Sequence, residues 1–133
     1  MATFSTEAAS DALDAMNALA NGGKIVVYSG TIPSDANAAN TGTLQGTFTL
    51  NTPAFGAATN ADPSVATLNG VPLNSTVTGA GATVTYARLL TSGDTPIQQY
   101  SVGQGSGEIS FDNTTWDNGG TINLTALTIS LPS

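Results

Sequence analysis

The chain contains no histidine and no cysteine, and its only basic residues are Lys24 and Arg88. Each absence closes a class of chemistry. Without histidine, the usual general base for a Ser or Thr nucleophile is missing. Lys24 is the one side-chain amine, and it opens an apolar run directly after Gly23, where a solvated strand end accounts for it. Without His or Cys, only hard oxygen sites for calcium or magnesium are open to the chain. The formal net charge is −7. Such a chain repels phosphate backbones and has few cations with which to release counterions, so nucleic acid is not an expected partner. Anionic membrane surfaces are excluded on the same ground.

Charge of either sign is scarce. Charged residues make up 8% of the chain, against about 25% in an ordinary soluble domain. Solubility therefore falls to Thr, Ser, Asn and Gln, and such a surface suits a protein partly covered by neighbours, because charge is depleted at interface cores. No apolar run is long enough to span a membrane. Residues Met1 to Ser10 hold no Lys, no Arg and no apolar run, so no secretory leader is expected in them. With 133 residues, one domain with a core of its own is expected, without a disulfide or metal staple.

What is present is one helix followed by strands. From about Thr6 to Ala20, Ala9, Ala12, Leu13, Met16, Leu19 and Ala20 recur at spacings of three and four, which makes one apolar stripe. Ser5 or Thr6 can cap its start, and Asn21-Gly22-Gly23 stops it, with Gly free to take the left-handed position. The run from Lys24 to Ser29 is β-branched and ends at Gly30. Pro33 to Gly42 reads as a loop. Thr43 to Leu50 alternates, with Leu44, Gly46, Phe48 and Leu50 on the dry face. Pro53 to Ala58 is expected at an edge. Weak strands are expected near Val65–Leu68 and Val71–Leu73, and firmer ones over Thr83–Leu90 and Ile97–Val102, with a short one from Glu108 to Phe111. On Thr83–Leu90, Val84, Tyr86, Arg88 and Leu90 share a face, so Arg88 points inward or lies at a rim. In Thr121–Leu131 the apolar residues change phase between Ala126 and Leu127, which predicts a β-bulge there.

The expected fold is mainly β: a single antiparallel β-sandwich or jelly-roll-like domain over residues 23–133, preceded by an N-terminal helical arm over residues 1–22.

Few residues offer chemistry. Asp112 and Asp117, with Glu108 nearby, could supply two carboxylates for glycoside hydrolysis, but Asp and Asn in Gly-flanked loops are usually turn formers. The stretches Asp112–Gly120 and Asp35–Asn40 are rich in oxygen donors. Neither fits an EF-hand loop, and Asp112 and Asp117 are the better calcium candidates. No catalytic residue and no cofactor is expected. Sequons at Asn74, Asn113 and Asn123 are ordinary in a chain this rich in Asn and Thr. Trp116, within the Asp- and Asn-rich turn, could stack on a sugar or anchor that loop onto the sandwich edge or a neighbouring subunit. Leu13, Met16 and Leu19 on the helix, with Trp116, are the interface candidates.

Longer motifs carry a resemblance. The segment Leu19-Ala20-Asn21-Gly22-Gly23-Lys24-Ile25-Val26-Val27-Tyr28-Ser29-Gly30-Thr31-Ile32-Pro33 resembles the start of a group of small tailed-bacteriophage and prophage virion proteins. In that group a helix leads into a strand of the form Ile-x-Ile-Tyr-x-Gly-x-x-Pro. Thr43 to Leu50, Pro53 to Ala58, Tyr86-Ala87-Arg88-Leu89-Leu90 and Ser101-Val102-Gly103 extend the likeness over nearly the whole chain. Ala87 departs from it, standing where the group has a larger aromatic, which bears on packing around Arg88.

The resemblance implies a virion structural protein, made in the host bacterial cytoplasm and carried on the capsid exterior. There it would act as a head decoration, or cement, protein. Its partners would be the major capsid protein lattice and itself, as a homo-oligomer with a trimer as the first expectation. The alternative it leaves open is a tail or fibre component that recognises a host glycan or serves as an adaptor.

Overall fold

The structure, a computed structural model, describes residues 4–104 and 109–131. Helix α1 spans Thr6–Ala18. Ser5 caps it, its Oγ accepting the Ala8 N–H at 3.1 Å, and Glu7 sits in the first turn where the helix dipole favours an anion. Beyond the helix, Gly22 takes a φ of +67° that an L side chain resists. Nine strands follow among the described residues: β1 (Lys24–Ser29), β2 (Thr43–Thr49), β3 (Ser64–Thr67), β4 (Leu73–Thr76), β5 (Gly81–Leu90), β6 (Pro96–Gln104), β7 (Ile109–Phe111), β8 (Thr115–Asp117) and β9 (Thr121–Leu131). Glu108, expected at the start of a strand, lies outside the described residues.

The strands form one curled sheet in the order β2-β1-β5-β6-β7-β9-β3, with β4 added to β9 and β8 to β5. The fold is mainly β and sandwich-like with one N-terminal helix, as expected. It is not purely antiparallel: β6 and β7 pair in parallel. The sheet curls until its ends meet. β4 lies on β9, and the Ser75 hydroxyl on β4 donates to Thr47 O on β2. Just beyond β4, the N–H groups of Thr78 and Gly79 both donate to Gln45 O. At the other end, β3 is met by the 55–59 segment, through Gly56 N–H to Thr67 O and Thr59 N–H to Val65 O. That segment is in turn tied to the helix region: Asp14 Oδ1 accepts the Ala58 N–H and Asn21 Oδ1 accepts the Ala54 N–H. Residues 4–22 are therefore no detached arm. Leu13 belongs to the same buried cluster as Phe48, Phe111 and Trp116.

Bulges decide which residues reach that core. On β9 the pairing with β7 skips Thr125, because Ser110 faces Ala126 and Phe111 faces Leu124. The bulge predicted at Ala126-Leu127 is thus present one residue earlier. Two others have no such sequence signature. On β2, Val27 pairs with Gly46 and Tyr28 with Leu44, which leaves Gln45 as the extra residue. Leu44 is consequently exposed and Gln45 buried, against the strict alternation. On β5, Tyr28 pairs with Tyr86 and Ser29 with Val84, which leaves Thr85 over. Val84 joins Ala87 and Leu89 in the core, whereas Tyr86 and Arg88, although buried, stand outside that cluster. The expected common face of Val84, Tyr86, Arg88 and Leu90 is broken there.

Two buried carboxamides make opposite contributions. Gln45 is fully bonded: Nε2 donates to Ser29 Oγ at 3.0 Å, and Oε1 accepts the Gly81 N–H at 3.0 Å. Asn17, on the inner side of α1, has no hydrogen-bond partner for either side-chain atom. A satisfied buried polar group stabilises, and an orphaned one costs its desolvation. Gln45→Leu is therefore expected to destabilise by about 2–3 kcal/mol, and Asn17→Leu to stabilise by about 1 kcal/mol. Urea unfolding of the two variants checks both signs.

Candidate functional site

Among the described residues one polar assembly has the look of a built site, and it lies outside the main core. β1 and β5 bring Tyr28 and Tyr86 opposite each other, and their rings stack at 4.9 Å between centroids with 15° between planes. Two residues along, Arg88 pairs with Gln99 on β6. Arg88 is only 6% exposed. Its Nε donates to Gln99 Oε1 at 3.0 Å, and its Nη2 donates to Asp35 O at 3.3 Å and Ala38 O at 2.7 Å. Gln99 Nε2 then donates to Pro33 O at 2.9 Å.

The loop between β1 and β2 is thus clamped from beneath by an arginine and a glutamine. It is also stitched internally. Asp35 Oδ1 accepts the N–H groups of Asn37 and Ala38. Thr41 Oγ1 donates to Thr31 O. The Tyr86 hydroxyl donates to Asn40 Oδ1 and accepts the Gly42 N–H. Gly42 must be glycine, since a Cβ there would collide with Ser29 O and the Tyr86 ring.

The clamp draws on two of the sequence segments named above. Tyr28 and Pro33 from the first, and Tyr86 and Arg88 from the later one, converge on one loop. Ala87 itself lies with Val27 and Leu89 in the main core. Arg88 was legible as a lone cation in an apolar strand. Gln99 and Gln45 carried no signal, because an isolated Gln in a Thr-rich strand looks like a solvated residue.

The guanidinium of Arg88 is held by carbonyl oxygens, so this assembly fixes the position of a loop. Burial pushes the Tyr28 hydroxyl above the ordinary tyrosine value, and the neighbouring Tyr86 adds to the rise.

The other candidates are dispersed. Asp112 ties β7 to β9, its two oxygens accepting the backbone and side-chain N–H groups of Asn123. Asp117 lies on β8 and closes the turn to Gly120 through its carbonyl. Among the described residues no three acidic, His or Cys side chains gather where a metal could sit. Trp116 takes the loop-anchoring role among those the sequence allowed and is corrected only as an interface candidate: it is 2% exposed, edge-on to Phe111 at 5.3 Å, and its indole N–H donates to Asn113 O at 2.6 Å. A ring so placed can neither stack on a sugar nor meet a partner. Leu13 is corrected likewise, being fully buried against the domain's own core, and Met16 is partly buried there. Leu19 alone of the four is open, at 57%. No helix among the described residues is long and apolar enough to cross a membrane. Compared with known proteins, the chain matches no protein-family model, no curated protein and no solved structure.

Two outcomes test the clamp. Arg88→Met removes three hydrogen bonds from a charged donor and is expected to cost about 2–3 kcal/mol while opening residues 31–42 to hydrogen exchange. Tyr28 has a folded pKa above its unfolded one, so its contribution is complete below about pH 10 and lost as pH rises through the raised value. Stability is expected to fall above pH 10, and Tyr28→Phe to flatten that alkaline limb in pH-dependent unfolding.

Proposed function

We propose that this protein is a structural component of a bacteriophage particle, a head decoration protein that binds the outer surface of the capsid shell and stabilises it without catalysis. The observation that carries the reading is a β domain closed on itself that leaves an apolar helix face uncovered. The sheet ends are closed on themselves, the loop between β1 and β2 is clamped, and both cations are engaged within the chain: Lys24 with Asp94 at 2.6 Å, and Arg88 in the clamp. Such a body suits a task that consists of holding contacts. The motif resemblance agrees with it, and many weak copies on a lattice would bind through avidity.

The glycan-binding alternative rested on Trp116, whose ring is enclosed by Phe48 and Phe111. No exposed aromatic on that turn takes its place.

The test is a map of the particle. Many copies spread over the head are expected, together with DNA release at lower temperature from particles assembled without the protein. A few copies confined to the tail would replace this reading with the adaptor. Without groups that titrate near neutrality, particle binding is expected to be flat from about pH 6 to 9.

A further inference from the structure

α1 is apolar on two sides. Its inner side buries Ala9, Leu13 and Ala20, together with the polar Ser10 and Asn17. On the outer side Ala8, Ala12, Ala15 and Leu19, at spacings of four, three and four, form a single exposed ridge. Phe4, immediately before the cap, stands at the head of this ridge. Phe4 and Leu19 are each 57% exposed, the highest values among the large apolar side chains described. They bracket about 20 Å of helix surface. The inner side thus buries two polar residues, one of them orphaned, while two large apolar side chains face outward. An apolar face left in water on an otherwise sealed domain marks a contact surface.

Charge identifies what fits there. Glu7, Asp11 and Asp14 run beside the ridge at spacings of four and three, and α1 carries no basic residue in its last turn. The chain's two cations are both engaged, Lys24 by Asp94 and Arg88 by loop carbonyls. A second copy would set acids against acids with no free Lys or Arg to relieve them, and like charges opposed across an interface cost affinity. We propose that the outer face of α1 docks in an apolar groove flanked by Lys or Arg on a different polypeptide, and not on another copy of itself. This rests on the contact-forming function proposed above and specifies its partner: on a particle, the groove would belong to the shell protein.

The test uses the purified protein and a surrogate groove. The probe is a synthetic amphipathic Leu/Lys helix, with the corresponding Leu/Glu helix as control. Calorimetry and amide chemical-shift mapping are expected to show binding of the Leu/Lys helix with shifts confined to residues 4–20, and no binding of the Leu/Glu helix. Leu19→Gln and the pair Glu7→Gln/Asp11→Asn are each expected to weaken binding by about tenfold. All three positions are exposed, so the fold is retained, and the exposed Leu44→Gln serves as the variant without effect. Equal binding of both helices, shifts centred elsewhere, or indifference to Leu19→Gln would overturn the proposal. So would sedimentation as a dimer that Leu19→Gln dissociates. These readouts do not involve a particle, so their failure is distinct from the failure of the particle map. A mapped head position with no response to the Leu/Lys helix would keep the decoration reading and remove the docking face.

Discussion

Everything in this fold depends on how the sheet closes. A sheet with open ends presents unpaired N–H and C=O groups, and proteins usually guard such ends with charge, above all lysine. This chain has two cations, and neither is at an end of the sheet. The ends are sealed with hydrogen bonds instead. Gln45 is the closing piece: its backbone carbonyl takes two N–H groups from residues 78 and 79, and its side chain reaches Ser29 on one side and Gly81 on the other. The bulge that turns Gln45 inward also leaves Leu44 facing out. An exposed leucine accompanies the geometry that closes the sheet.

Closure and clamp divide the protein into two layers with different chemistry. Inside the curl, Trp116 meets Phe48 and Phe111 edge-on, and those two rings are tilted at 33° to each other, within the aliphatic core. Outside it, Tyr28, Tyr86, Arg88 and Gln99 form a thin polar layer roofed by the loop between β1 and β2. β5 serves both layers, because the bulge at Thr85 lets Val84 and Ala87 enter the core while Tyr86 and Arg88 face the loop. A single strand thereby couples core packing to loop position, and a disturbance at Ala87 or Leu89 would be felt in the clamp.

Much of this was legible in the sequence, and the rest was hidden for identifiable reasons. The helix, its cap and β1 follow from local chemistry and agree with the structure to within a residue or two. The bulge in β9 was visible because apolar residues mark both phases of the strand. The bulge at Gln45 was invisible because Gly46 has no side chain to betray which way it points, so Leu44 and Phe48 looked in phase. Trp116 was open to two readings because a ring in a polar turn can face out or anchor the turn; here the turn folds its ring inward onto Phe111 and leaves its own Asp and Asn residues outside. Leu13 and Leu19 lie on one apolar stripe in the sequence, and the docking of α1 onto β3 and β9 covers the first and leaves the second open.

The engagement of both cations has a further consequence. Trypsin-like proteases cut after Lys and Arg, and this chain offers them only two sites. One lies in β1, between β2 and β5, and the other is buried beneath the loop. Even the unfolded chain would yield no more than three fragments, and the folded one exposes no ready cleavage point of that kind. Lys24 is also the only side-chain amine, so amine-reactive dyes and cross-linkers find one internal attachment point, at a known place on the sheet. A composition this poor in Lys and Arg thereby makes the protein hard to digest and simple to label.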